Sequence, residues 1–128
     1  MTAGQNTGPL AGKRVLIVED EWLVAEAIEF AVEAAGGKVV GPFPTIAQAL
    51  AVLTGYGTVP DAATLNIRLA DGESYPIADQ LEAMNIPFLF ASANGASSLP
   101  RRFARKVLLD KPVLPSKIIE ALTVITHA

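Results

Sequence analysis

Polar residues able to hold a cation and an anion recur along this chain just past short apolar runs. Glu19 and Asp20 stand together early, Asn66 falls near the middle, Ser92 follows, and Lys111 precedes a proline late in the chain. Adjacent carboxylates suit a hard cation such as Mg2+, which takes carboxylate and water oxygens in octahedral array. A hydroxyl and an ammonium suit a phosphoryl oxygen. Phosphoryl transfer asks a protein for positioning, charge neutralisation and a nucleophile. Taken singly, none of these residues is specific. Acidic residues after a strand are often helix N-terminal charges favoured by the dipole; a loop serine is usually only a loop hydroxyl, and a single lysine is usually solvated. Their order and spacing together are the signal.

The elements that must bring them together follow from periodicity. Arg14 to Val18 reads as a fully buried strand. A helical pattern comes next, with Val24, Ile28, Ala31 and Ala35 on one face and Glu26, Glu29 and Glu33 on the other. Gly36 and Gly37 end it. Lys38 to Gly41 is a second strand, Pro42 and Pro44 punctuate a loop, and Thr45 is the N-cap of a helix over 46–53. Ala62 to Leu65 is a third strand, a helix covers 77–84, and Pro87 to Ala91 is a fourth strand. Gly, Ser and Pro dominate 94–100, a poor helix sequence, so a fourth helix there is expected to be short or disordered. Val107 to Leu109 is a fifth strand, and Ile118, Ile119, Leu122 and Ile125 give the last helix its apolar face. Strands alternating with helices predict an α/β domain, a parallel sheet covered on both faces. Ligands of such sheets bind beyond the carboxyl ends of the strands, where Glu19, Asp20, Asn66, Ser92 and Lys111 all fall. Arg101, Arg102, Arg105 and Lys106 read as a solvated, mobile surface, and His127 as an exposed residue.

Composition narrows the function classes. With 128 residues, 51% of them hydrophobic, the chain is long enough for one domain with one core. No apolar run approaches the roughly 20 residues of a membrane span, so no membrane partner is expected. Residues 1–12 lack the basic-then-apolar order of a signal peptide and read as a flexible leader to a domain over 13–128. The absence of cysteine excludes disulfides, thiolate metal sites and cysteine nucleophiles, and fits a cytoplasmic location. A net charge of −3 gives no electrostatic ground for a nucleic-acid partner.

Glu19-Asp20, the strand running into Asn66, Ser92 and Lys111-Pro112 together resemble the receiver domain of two-component response regulators. The resemblance spans nearly the whole chain from Lys13 onward. It implies a CheY-like, flavodoxin-like sheet of five strands in the order 2-1-3-4-5. It implies that Asp20 ligates Mg2+ directly, that Glu19 acts through bound water, and that the backbone carbonyl of Arg68 is a further ligand. Ser92 would hydrogen-bond a phosphoryl oxygen, Lys111 would set its ammonium against it, and the Lys111-Pro112 peptide would be cis. Asn66 stands at the family's phospho-acceptor position, where an aspartate is the rule. Phe90-Ala91-Ser92, Leu99-Pro100, Val107 to Pro112 and Ser74 to Asp79 resemble more closely a single-domain class marked by Phe-Ala-Thr-Gly. Such proteins carry no output domain and resemble phosphate sinks or go-betweens in stress signalling. The implied partner is a sensor histidine kinase of the HWE type or another signalling protein. A monomer or weak homodimer is expected, any dimer forming around Leu108, Val113 and Leu114. Leu108 replaces an aromatic switch residue of many receivers, and Val113 stands where Phe usually follows Lys-Pro.

An amide keeps the shape of a carboxylate but cannot form an acyl phosphate. The sequence therefore predicts a receiver blocked at Asn66, by natural loss or by an engineered Asp-to-Asn change. It would bind Mg2+ weakly, also through Asn66, and act through protein contacts, not as an enzyme. Two other readings use the same residues. One is an active receiver with another acceptor, Asp20 or Ser92. The other is a small flavodoxin-like domain for a nucleotide or flavin. That one lacks a Gly-rich loop after the first strand, and Glu19-Asp20-Glu21 would repel a phosphate there.

Overall fold

Short apolar runs form the middle of a parallel sheet in the computed structural model, which describes residues 7–55, 57–93 and 99–127. β1 (Arg14–Val18) is buried after its first residue, and β3 (Ala62–Asn66) and a later strand, β6 (Phe88–Ser92), are buried throughout. Both faces of an interior parallel strand are covered, which is why these runs do not alternate with polar residues. β2 (Lys38–Phe43) and β7 (Val107–Asp110) are the sheet edges. The order is β2-β1-β3-β6-β7 with every pair parallel. Counted over the main strands, this is the expected 2-1-3-4-5. The numbering differs because β4 (Arg68–Leu69) and β5 (Gly72–Glu73) form a small antiparallel hairpin directly after β3. Strands of two residues have no periodicity for a sequence to reveal.

Alternation along the strands divides the core in two. Leu16, Val18, Leu65 and Phe90 pack with α2 (Ile46–Thr54) and α3 (Tyr75–Ala83). Val15, Ile17 and Leu89 pack with α1 (Trp22–Ala34) and α4 (Pro115–Thr126). Thr45 caps α2 as expected, its hydroxyl accepting from the Gln48 N–H at 3.2 Å. No helix among the described residues is long and apolar enough to cross a membrane.

Several local expectations are corrected. β2 does not stop at Gly41 but runs through Pro42 to Phe43. A proline is tolerated there because the strand is an edge, and Gly41, at φ 103°, absorbs the register shift against β1. The leader does not extend to residue 12. Leu10 is fully buried in the core and its N–H donates to the Ala35 carbonyl at 2.9 Å. A side chain at Gly36, where φ is 91°, would collide with the Thr7 backbone, so these residues lie tight against the end of α1. Residues 1–6 of the expected leader lie outside the described residues, as do 94–98, the main part of the expected fourth helix. Arg101–Phe103 form a 3-10 turn. The basic group beside it is not simply solvated. Arg102 grips Asp79 of α3 through two hydrogen bonds, of 2.9 and 3.0 Å, and Lys106 pairs with Glu82 at 2.6 Å. Beneath them Phe103 is buried among Tyr75, Phe88 and Phe90.

Candidate functional site

The sheet delivers its polar residues to one edge. Glu19 and Asp20 follow β1, Asn66 ends β3, Ser92 ends β6, and Lys111 follows β7. Backbone bonds continue past the strand ends and fix these positions. The Glu19 N–H donates to the Phe43 carbonyl at 3.0 Å, the Ile67 N–H to Ala91 at 3.1 Å, and the Lys111 N–H to Ser92 at 2.8 Å. The Lys111-Pro112 peptide is cis, as the resemblance implied. Asp20, Asn66, Arg68, Ser92 and Lys111 wall a cleft of about 310 Å3. The residues chosen from sequence are therefore brought together, Arg68 through its carbonyl.

At the centre is the Asn66 side chain. Its Nδ2 donates to Glu19 Oε2 at 3.1 Å, to Asp20 Oδ1 at 3.0 Å and to the Arg68 carbonyl at 2.7 Å. Carboxylates and carbonyls are acceptors only, so the amide must turn its NH2 toward them and its oxygen away. Glu19 is nearly inaccessible to solvent and takes further bonds from the Glu21 N–H at 3.1 Å and from Lys111 Nζ at 2.8 Å. Burial raises its pKa above the ordinary glutamate value, and the Lys111 hydrogen bond opposes that rise. Burial alone would lower the Lys111 pKa; its hydrogen bonds to Glu19 and Glu21 outweigh burial and hold it above the ordinary lysine value.

Two placements bear on the expected roles. The ammonium of Lys111, expected against a phosphoryl oxygen, bridges Glu19 and Glu21 at 2.8 and 2.7 Å. Glu21 is thus a site residue that sequence reasoning overlooked; its place in the acidic run Glu19-Asp20-Glu21 was the available signal. The oxygens of the expected Mg2+ site, Asp20 and the Arg68 carbonyl as direct ligands and Glu19 through water, converge on the Asn66 nitrogen. Mg2+ needs bare oxygens at about 2.0–2.1 Å, so this arrangement does not fit the ion while the amide nitrogen stands among them. Ser92 is buried at the floor of the site.

Of the residues expected at a dimer face, Leu108 and Val113 are half-buried against the two cores, and only Leu114 is exposed. A separate hollow of about 410 Å3 beside it, between β7 and α4, has walls that include Leu109, Val113 and Val124.

No protein-family model matches the chain. SdrG from Sphingomonas melonis Fr1 is 35% identical, with a TM-score of 0.75 over 95% of this chain and 100% of that one. The receiver domain of HemR from Leptospira biflexa, 22% identical, superposes with a TM-score of 0.77 over 91% of this chain and 95% of its own. The phyllosphere-induced regulator PhyR of Methylorubrum extorquens is 29% identical over 124 residues, 91% of this chain. The chain spans 44% of the length of that curated relative. It belongs to the response-regulator receiver domains, with the CheY-like fold.

Proposed function

We propose that this domain is a receiver whose aspartate phosphorylation is blocked and which signals by binding other proteins. The observation that carries this reading is Asn66, standing at the acceptor place among Glu19, Asp20, Ser92 and Lys111. The scaffold for phosphoryl transfer surrounds a side chain that cannot form an acyl phosphate. The Phe90-Ala91-Ser92 segment and the Lys111-Pro112 end of the site support membership of the Phe-Ala-Thr-Gly single-domain class. A sensor histidine kinase, of the HWE type, or another regulator is then the partner. Such a partner has a surface to meet beside the cleft. Trp22, Leu23 and Phe30 of α1 are all more than two-thirds exposed, at 72%, 71% and 74%. Exposed apolar surface of this kind is where a protein partner would gain by covering it. The domain acts in the cytoplasm as a monomer or weak homodimer, and any magnesium it takes is held weakly.

Intact mass after treatment with acetyl phosphate and magnesium, on this chain and on Asn66→Asp in parallel, tests the reading. Only the substituted form is expected to gain a phosphoryl group. Modification of the parent chain would instead reveal another acceptor, with Asp20 and Ser92 the first to check. Reaction of neither form would restrict the domain to binding alone.

A further inference from the structure

We propose that the Asn66 amide takes the place of the divalent cation in this pocket, so that the site is held closed without magnesium. This rests on the receiver reading above and says what replaces the metal in it. The loop after β1 contributes Glu19 Oε2 and Asp20 Oδ1, and the segment after β3 contributes the Arg68 carbonyl. All three lie 2.7–3.1 Å from the same nitrogen. None of them has a hydrogen to give. Without a positive group between them they repel one another. The amide offers two hydrogens and the positive end of its dipole. Lys111 adds a full positive charge on the far side of Glu19, at 2.8 Å. Together these groups do in part the two jobs a cation would do there: they offset the repulsion between the carboxylates and tie the β1–α1 loop to the β3–β4 loop.

An aspartate at position 66 reverses the requirement. Three acceptors would then face a further carboxylate with no donor among them, a cage that a cation closes. An alanine would also remove the amide donor from all three oxygens, leaving Glu19 Oε2 only its bond from the Glu21 N–H. To admit Mg2+, the parent amide must give up three contacts beside a Glu19 that water barely reaches. One side chain thus sets whether the pocket depends on metal.

Trp22 is the chain's single tryptophan and follows Asp20 by two positions, so its emission reports on this loop. Thermal melts and Trp22 fluorescence would be recorded for the parent, Asn66→Asp and Asn66→Ala, in EDTA and across a magnesium titration. The parent is expected to show no shift in melting temperature or emission through millimolar magnesium. Both variants are expected to melt lower in EDTA and to recover with a saturable magnesium dependence, at an apparent affinity at least about tenfold tighter than the parent's. A saturable parent response in the same range as Asn66→Asp overturns the proposal. So does silence from both variants, because the amide is then not what keeps the ion out. The side-chain NH2 resonances of Asn66 give an independent reading: they should stay in place as magnesium is added, and a shift that saturates counts against the proposal. Phosphorylation is read separately by mass, so failure here leaves the receiver reading standing.

Discussion

Two ion pairs tie distant parts of this chain together under opposite conditions. At the strand ends Lys111 meets Glu19 with side chains 12% and 2% exposed. On α3, Asp79 meets Arg102 with side chains 52% and 55% exposed. The second pair has the better geometry, a two-bonded grip of guanidinium on carboxylate. It nonetheless sits in water, where charges are screened and such pairs contribute little. The first pair is dehydrated, so each charge relies on its neighbours. Glu19 needs Lys111, the Glu21 N–H and the Asn66 amide at once. The difference separates function from scaffolding. In the corner by α3, strength comes from Phe103 under the ion pair. At the strand ends it comes from the polar groups themselves, so changing one of them changes the chemistry as well as the stability.

Substitutions can break this contrast, and their effects should fall in a definite order. Phe103→Ala should cost the most, about 3–5 kcal/mol in urea melts, because it empties the middle of a buried aromatic cluster. A loss under 1 kcal/mol would mean the corner is not packed as described. Lys111→Met should cost about 3 kcal/mol near neutral pH by stranding the Glu19 charge. That penalty has a pH signature. Burial already holds Glu19 above its ordinary 4.5, and losing the ammonium raises it further. A carboxyl with a raised folded pKa favours the folded state at low pH and loses that contribution as pH climbs through the folded value. The gap between parent and variant should therefore narrow as the pH is lowered toward 4.5. A gap constant with pH would show that Glu19 is not the group left stranded. Asp79→Ala should cost least, about 0.2–1 kcal/mol, and less in high salt. A larger, salt-independent loss would erase the distinction between the two pairs.

The sequence made one of these regions far more legible than the other. Glu19, Asp20, Asn66, Ser92 and Lys111 each follow an apolar run, and in a parallel sheet such runs end on the same edge. Their meeting could be read from strand order alone. The partners of those residues could not. Lys111 lies on Glu19 and Glu21, because a charge finds the nearest opposite charge that three-dimensional packing provides. The Arg102–Asp79 and Lys106–Glu82 pairs join segments more than 20 positions apart, which no local pattern encodes. Leu10 looked like part of a polar leader because its neighbours are Gly, Thr and Pro; only the closed end of α1 gives it somewhere to be buried. β2 runs past the expected end at Gly41 because Pro42 is a stop signal in a central strand and not at an edge.

The hairpin that supplies the Arg68 carbonyl has a second attachment. Beyond β4 it reaches Asp71, whose carboxylate accepts from the Ile46 and Ala47 N–H groups at 2.8 and 3.2 Å. The Ile46 bond is the chief reason the Asp71 pKa lies below its ordinary value. The segment is therefore a crossbeam, fastened to the Asn66 amide at one end and to the first turn of α2 at the other. A chemical change that pushes the Arg68 carbonyl aside loads that second fastening. Hydrogen-exchange rates at Ile46 and Ala47, on a helix that carries none of the site's side chains, then become a gauge of what occupies the pocket.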